Sequence, residues 1–288
     1  MNVAREPAEL PTARRAVAVG TFDGVHRGHL QVIDAARQAG LRTSVLTFDP
    51  HPRAVLGGGV ELLATLERRL ELLADAGVED ALVLQFNDRL AALPANEFAG
   101  KMLRGIGAEV IAAGETFRFG HGREGDLDLL ERLGFDVRRV PLVEDVSSSR
   151  VRELVHQGEI EGAALSLGRP PEVEGIVVRG DGRGRDLGFP TANLDVPDGL
   201  LVPPDGVYAG WTHGRRAAVS IGTNPHFDGV ERRVEAYLLD FEGDLYGERL
   251  LLEIWAPLRE QRRFDSLDAL VTTIGEDVVR TRAAVRPG

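Results

Sequence analysis

Two histidines, His26 and His29, stand three residues apart in the run VGTFDGVHRGHLQVIDAA at 19–36, between a Gly-rich turn and an apolar-periodic stretch. Imidazoles so placed can serve three ends. They can ligate a metal, with Asp23 as a third ligand. They can donate hydrogen bonds to a phosphate, or they can simply pack. Phosphate is favoured by the surroundings: Gly20, Gly24 and Gly28 permit close approach of the backbone, and the helix that follows offers free N–H groups and a positive dipole end.

A second group lies far downstream. The run GDGRGRDLGFPTANL at 180–194 has glycines at 180, 182, 184 and 188. It lacks the Gly-Lys-Ser/Thr ending and the strand-to-helix setting of a P-loop, so it is either a turn between strands or a nucleotide site of another kind. Thr191 and Asn193 offer oxygen ligands two residues apart, on one side of an extended backbone, which suits a Mg²⁺ that also binds phosphate oxygens. Glu235, in RVEAYLLDF, falls mid-strand with Tyr237 and Leu239 on its own face. It is an exposed strand residue or a carboxylate that accepts the proton of a hydroxyl nucleophile. Glu231 and Asp240 are its nearest competitors in sequence.

The elements that must hold these groups follow from periodicity. From about Val17 to Val143, short β-rich runs (RRAVAVG, RTSVLTF, DALVLQF, EVIAAG and DVRRVPLV) alternate with helical patterns, which predicts a parallel sheet covered by helices. In TLERRLELLADAG, Leu66, Leu70 and Leu73 recur at helical spacing and the pattern stops at Gly77; LPANEFAGKMLRG reads the same way. The histidine pair then falls just after a strand, outside the carboxyl edge of the sheet, where such folds bind ligands. After Leu167 the pattern becomes VEGIVVR, GVYAGWTH, RAAVSIG, RVEAYLLDF and RLLLEIWA, with little helix before Ser266: a small antiparallel barrel closed by a C-terminal helix. The boundary is expected near LGRPPEVEG, where two prolines interrupt a helical run.

Composition narrows the chemistry. With 288 residues, 43% of them hydrophobic, two domains can each build a core. The absence of cysteine excludes disulfides, thiolate catalysis and cysteine-ligated metal sites. A net charge of −11 argues against broad binding to nucleic acid, whose affinity rests on many cationic contacts to phosphate. The first residues carry no apolar signal core, and no stretch reaches the roughly 18 apolar residues of a membrane span. The expectation is a cytoplasmic protein without nucleic-acid or membrane partners; the sequence leaves its oligomeric state open.

The run GTFDGVHRGH resembles the Gly-x-Phe-Asp-Gly-x-His-x-Gly-His motif of the bacterial bifunctional riboflavin kinase/FMN adenylyltransferases, also called FAD synthetases. The His-x-Gly-His core alone marks only the wider nucleotidyltransferase superfamily. FDPHP at 48–52, GETFRFG at 114–120 and SSSRVR at 147–152 match further motifs in the same order. The 180–194 run resembles the flavokinase signature, and the likeness continues through GVYAG, SIGTNPHF, VEAYLLDF, LYG and PLREQRRFDSLDAL.

The resemblance implies an α/β protein. A Rossmann-like nucleotidyltransferase domain over 1–167 would adenylylate FMN to FAD, and a flavokinase-like barrel over 168–288 would phosphorylate riboflavin to FMN, both with ATP and Mg²⁺. It places His26 and His29 on ATP phosphates together with Gly20, Phe22, Asp23 and Gly28, and Ser148, Ser149 and Arg152 in a second phosphate motif. Read without it, the latter three are a capped surface helix, a role compatible with phosphate binding. It further assigns Gly182, Gly184 and Gly188 to the kinase ATP, Thr191 and Asn193 to Mg²⁺, and Glu235 to the catalytic base. Flavin falls to Phe48, Pro50, His51, Pro52 and Thr116 in the first domain and to Asn224 and Arg259 in the second. Thr116 departs from the Asp or Asn usual there, and a Thr hydroxyl has shorter reach, so a protein that is mainly a riboflavin kinase is the alternative. A flavin-carrying regulator is disfavoured because it has no need of an ATP site.

Overall fold

In a computed structural model, which describes residues 1–180, 184, 187–223 and 232–288, the chain forms two compact units. The first comprises Met1–Val60 and Leu66–Ser147, the second Glu61–Thr65 and Ser148–Gly288. Gly182, Asn224 and Glu231 lie outside the described residues.

The first unit is built on six strands: β1 (Asn2–Ala4), β2 (Arg15–Val19), β3 (Arg42–Asp49), β4 (Asp80–Gln85), β5 (Ala108–Gly114) and β6 (Asp136–Val140). They pair in parallel in the order β1-β4-β3-β2-β5-β6. All five strands expected here are present. The edge strand β1 was not foreseen, because three residues carry no readable period. Alternation along the central strands feeds two cores. Val17, Val19, Leu46, Leu82 and Ile111 face one side with Phe98, Leu103, Leu127 and Leu130. Ala16, Ala18, Val45, Ala81 and Val83 face the other with Val32, Ile33, Leu72 and Leu73. Strands buried on both faces therefore read as continuous apolar runs. The helices that matter are α1 (Arg27–Arg37) and α2 (Leu66–Asp75), the latter followed by Gly77 at φ 86°, a stop that favours glycine. The chain leaves β2 for β3 on one side while β5 lies on the other, so the sheet has its topological switch point beside β2.

At the opposite, amino edge, Asp80 is fully buried and accepts hydrogen bonds from Arg15 (3.0 Å), Arg42 (2.6 and 3.0 Å) and Asn2 (2.8 Å). These residues open or adjoin the starts of β4, β2, β3 and β1, so one carboxylate ties four strands. Burial alone would raise the Asp80 pKa; the hydrogen bonds from Arg42, Asn2 and Arg15 outweigh it and hold the group below its ordinary value.

The second unit opens with α3 (Ser148–His156) and α4 (Ile160–Leu167). Strands β7 (Glu172–Val178), β8 (Ala192–Asp195), β9 (Gly206–Thr212), β10 (Arg215–Thr223), β11 (Arg232–Leu238) and β12 (Arg249–Arg259) close into an antiparallel barrel in the order β10-β11-β8-β7-β12-β9. Val173, Leu194, Val219, Ile221, Val234, Ala236, Leu252 and Ile254 fill it. Helix α5 (Leu267–Ala283) follows, capped by Ser266, whose hydroxyl accepts from the Ala269 N–H, as its position in the sequence predicts. Here β8 is an addition to the expected elements, since PTANL carries too few apolar residues to read as a strand.

The compact units divide ahead of the periodicity change at Leu167. Val151, Leu154, Val155, Ala163 and Leu167 pack with Leu63 and Leu201, and Ile160 joins the barrel core, so both helices belong with the barrel. The segment Glu61–Thr65 does too: the Leu62 N–H donates to the Gly199 carbonyl (2.7 Å), and the Leu201 N–H donates to the Leu62 carbonyl (2.8 Å). A period switch marks where helices give way to strands, whereas a packing boundary depends on which face each helix buries. Among the described residues no helix is long and apolar enough to cross a membrane.

Candidate active sites

The first site lies where β2, β3 and β5 end. After Val19 the Gly20 N–H still donates to the Leu46 carbonyl (3.1 Å), and the chain then turns through three left-handed residues, Phe22 (φ 52°), Gly24 (φ 78°) and Val25 (φ 41°). Positive φ at two non-glycine residues is costly and is held here by burial of both side chains. The glycines make room for rings. A Cβ on Gly20 would meet the Phe22 ring at 3.3 Å, and one on Gly28 would meet the His26 ring at 3.2 Å.

His26 is the N-cap of α1, its Nδ1 accepting from the His29 N–H (3.3 Å). That bond leaves the His26 proton on Nε2, as a donor. The two imidazoles stack, centroids 3.6 Å apart and planes at 18°. Nδ1 of His29 is enclosed without a partner, and burial, then the charges of His26 and Arg69, push the His29 pKa well below 6.5. A neutral His29 stacked on His26 at a helix N-terminus can donate to an anion while the helix dipole supplies the positive potential. Among the described residues no three His, Asp or Glu side chains are placed to hold a metal, so Asp23, His26 and His29 do not form the metal site weighed as an alternative.

Phe48, the next-to-last residue of β3, meets Phe86 edge-on at 5.7 Å. Pro50 follows a cis bond, and His51 then caps the short helix Pro52–Val55, its Nδ1 accepting from the Arg53 N–H (3.1 Å). Thr116 is exposed in the turn after β5, closed by the Phe117 N–H on the Gly114 carbonyl (2.9 Å), and Phe117 stacks on Phe119. Because the strands are parallel, these motifs share one edge of the sheet. Ser148, Ser149 and Arg152 open α3 in the second unit, where the Arg152 Nε donates to the Glu61 carbonyl (2.5 Å).

Arg69 was missed by reading the sequence. It is 4% exposed on α2, with Nη1 donating to the Thr21 carbonyl (2.9 Å) and Nη2 to the Phe48 carbonyl (3.1 Å). The signal was available: position 69 is three after Leu66 and four before Leu73, on the apolar stripe, where a charge must be paired.

The second site is assembled by strand register. Glu235 on β11 stands opposite Asn193 on β8 and Ser220 on β10, while Val234, Ala236 and Leu238 point inward. The three polar residues therefore share the outer side of the barrel. Thr191, one residue before β8, donates its hydroxyl to the Glu235 carboxylate (3.3 Å). Gly180 leaves room beside them: a Cβ there would come within 2.3 Å of the Asn193 amide nitrogen and displace that side chain. Gly184 accepts from the N–H groups of Leu187 and Phe189, Gly188 has φ 84°, and Phe189 meets Tyr237 edge-on at 5.4 Å. The Thr191 hydroxyl and the Asn193 amide oxygen are donors of the kind Mg²⁺ takes, and the carboxylate beside them can accept a proton.

The competitor Asp240 is committed elsewhere, in a bidentate pair with Arg282 (2.6 and 2.7 Å). Arg259 is held by the buried Asp277 of α5 (2.8 to 3.2 Å) and lies over the Phe264 ring, so it fastens the helix to the barrel. Sequence reasoning also passed over Gln261, whose amide donates to the Ser220 hydroxyl (2.8 Å) and the Ile221 carbonyl (3.2 Å) beside the Glu235 row.

Comparison with known proteins bears on both sites. Residues 9–152 match the family model described as FAD synthetase, and 167–285 the one described as riboflavin kinase. The bifunctional riboflavin kinase/FMN adenylyltransferase of Listeria monocytogenes is 36% identical, covering 93% of this chain and 92% of its own. That of Escherichia coli is 33% identical over 96% and 94%. A solved structure from Streptococcus pneumoniae, named a macrolide-efflux protein, is 33% identical with a TM-score of 0.87, covering 97% of this chain and 98% of its own. Its fold is shared; its name is not carried over. With both family models matched in order and relatives aligned over nearly its whole length, the chain belongs to the bifunctional riboflavin kinase/FMN adenylyltransferases.

Proposed function

We propose a division of labour for the two activities the chain carries as a member of that family: residues 1–167 transfer AMP from ATP to FMN, and residues 168–288 phosphorylate riboflavin. In the first reaction an FMN phosphate oxygen attacks the α-phosphorus of ATP, a new P–O–P link forms and pyrophosphate leaves. No covalent protein intermediate is required. His26 and His29 hold ATP phosphates by imidazole N–H donation at the N-terminus of α1, and Ser148, Ser149 and Arg152 supply further donors. Such preorganised donors stabilise charge that builds in the transition state. Phe48, Pro50, His51, Pro52 and Thr116 line the flavin side.

In the second reaction Glu235 takes the proton of the riboflavin 5′-hydroxyl as its oxygen attacks the γ-phosphorus, with ADP leaving. Thr191 and Asn193 would hold Mg²⁺, which when bound would neutralise phosphate charge. Gly182, Gly184 and Gly188 are assigned to the ATP of this reaction and Asn224 and Arg259 to its flavin, with Arg259 held in place by Asp277 and Phe264. The substrates are small molecules, and a cytoplasmic protein without nucleic-acid or membrane partners is consistent with the charge of −11.

The observation that carries the kinase reading is the meeting of Glu235 with Thr191, 44 residues away in sequence, through one hydrogen bond, and with Asn193 through one register pair. The test is a time course with riboflavin, ATP and Mg²⁺ in which riboflavin, FMN and FAD are resolved. Glu235→Gln keeps size and hydrogen bonding but not the basic carboxylate, so phosphorylation should fall by roughly 10² to 10⁴. Adenylylation of supplied FMN should persist. A folded variant that phosphorylates riboflavin at the native rate refutes the assignment.

A further inference from the structure

We propose that Arg69 is a positioning residue for adenylylation: its guanidinium bridges the turn after β2 to the carboxyl end of β3, where FDPHP begins, and so fixes the spacing between the phosphate-binding and flavin-binding motifs. The inference rests on the reading of those two segments given above.

The geometry is specific. Thr21 belongs to GTFDGVHRGH and Phe48 opens FDPHP, and each gives its main-chain carbonyl to a different terminal nitrogen of the same side chain. The Thr21 carbonyl accepts a second bond, from the Thr47 hydroxyl on β3 (3.0 Å), so the turn is tied to β3 at two points. Neither carbonyl is a group that a buried arginine needs for charge balance. Asp23, itself buried, and Asp49, 4.0 Å from Nη2, supply that balance, and both are residues of the same two motifs. The Nε of Arg69 is buried without a partner, which costs stability. A residue chosen for stability alone would be met more cheaply by leucine, which the flanking pattern of α2 already uses at 66, 70 and 73. A planar fork can hold two carbonyls at a set separation; an ammonium cannot.

The consequence for the reaction is geometric. Two anions must be brought in line, one held from each segment, and a displacement of about 1 Å can cost about 10²-fold in rate. Losing the bridge should therefore lower kcat more than it raises KM for either substrate.

The test uses the full chain and measures FAD formation from supplied FMN and ATP, with riboflavin phosphorylation followed in parallel. Arg69→Lys keeps the charge and most of the packing. It should lower kcat for FAD formation at least fivefold with each KM within threefold of native, and leave riboflavin phosphorylation unchanged. Arg69→Met should lower kcat by tenfold or more. Should Arg69→Met fail to fold, Arg69→Lys decides by itself. Native kcat in a folded Arg69→Lys overturns the inference, because charge and packing then suffice; a loss confined to KM overturns it by making Arg69 a binding group. His29→Ala is measured alongside. If it leaves FAD formation intact, the placement of the site fails and the inference with it; if it abolishes FAD formation while Arg69→Lys does not impair it, only the role of Arg69 fails.

Discussion

The two histidines answer to different constraints although they touch. His26 uses Nδ1 to cap α1 and so carries its proton on Nε2, whereas His29 gives its backbone N–H to that cap and is held neutral by burial and by the charges of His26 and Arg69. This has a pH consequence with a definite sign. Below the ordinary imidazole pKa of about 6.5 the unfolded chain binds a proton that the folded protein refuses. The contribution to stability is complete above that pH and is lost as pH falls toward the depressed folded value. The groups that set it are His26 in the stacked ring, Arg69 from α2, and Asp23 and Asp49 beside Arg69. Thermal melts between pH 7 and pH 5 should show a steeper loss for the native protein than for His29→Phe. Parallel curves would mean that His29 is accessible to protons in the folded state.

Among the elements, the parallel sheet separates its duties by edge. The carboxyl edge carries the motifs, and the amino edge carries the Asp80 hub that ties β1, β2, β3 and β4. Asp80→Asn leaves the guanidinium of Arg15, 1% exposed, without its counter-charge and should cost about 3–5 kcal/mol. An unfolding free energy from urea titration lowered by that amount is the check. Since the hub lies at the other edge from the motifs, KM for FMN and ATP should be unchanged at a temperature where the variant is folded. A change in either would show that the strands shift as a set. Helix α2 shows how an element can mislead a reader of sequence. Leu66, Leu70 and Leu73 announce its apolar stripe, and Arg69 on the same stripe is the residue with the most to say about the site.

For the molecule as a whole, the assignment of α3 and α4 to the barrel unit makes a prediction about fragments. A chain from Ser148 to Gly288 should be more stable than one from Leu167, which loses Ile160 from the barrel core and the Val151, Leu154, Val155 and Ala163 packing. Burying one such aliphatic side chain is worth about 1.5–3 kcal/mol, so the difference should exceed about 3 kcal/mol by urea unfolding. Neither fragment contains Leu62 and Leu63, so the comparison isolates the two helices. Both should phosphorylate riboflavin when folded and make no FAD. Equal urea midpoints would place the stability boundary at Leu167.

The sequence by itself determined the class of each half, because periodicities of 3.6 and 2 are local and survive in a string: the β runs of the parallel sheet, Gly77 ending α2 and Ser266 capping α5 were all legible. It also supplied His26, His29, Thr191, Asn193 and Glu235 as chemical candidates, since their spacing or their motif is one-dimensional. The tertiary structure decided what depends on distance between remote residues. Register alone puts Asn193 opposite Glu235, and the space at Gly180 is taken by the Asn193 amide. Packing alone gives α3 and α4 to the barrel. The stacking of His26 on His29 and the burial of Arg69 against two carbonyls likewise follow from how α1 and α2 dock at the strand ends, which no local pattern encodes.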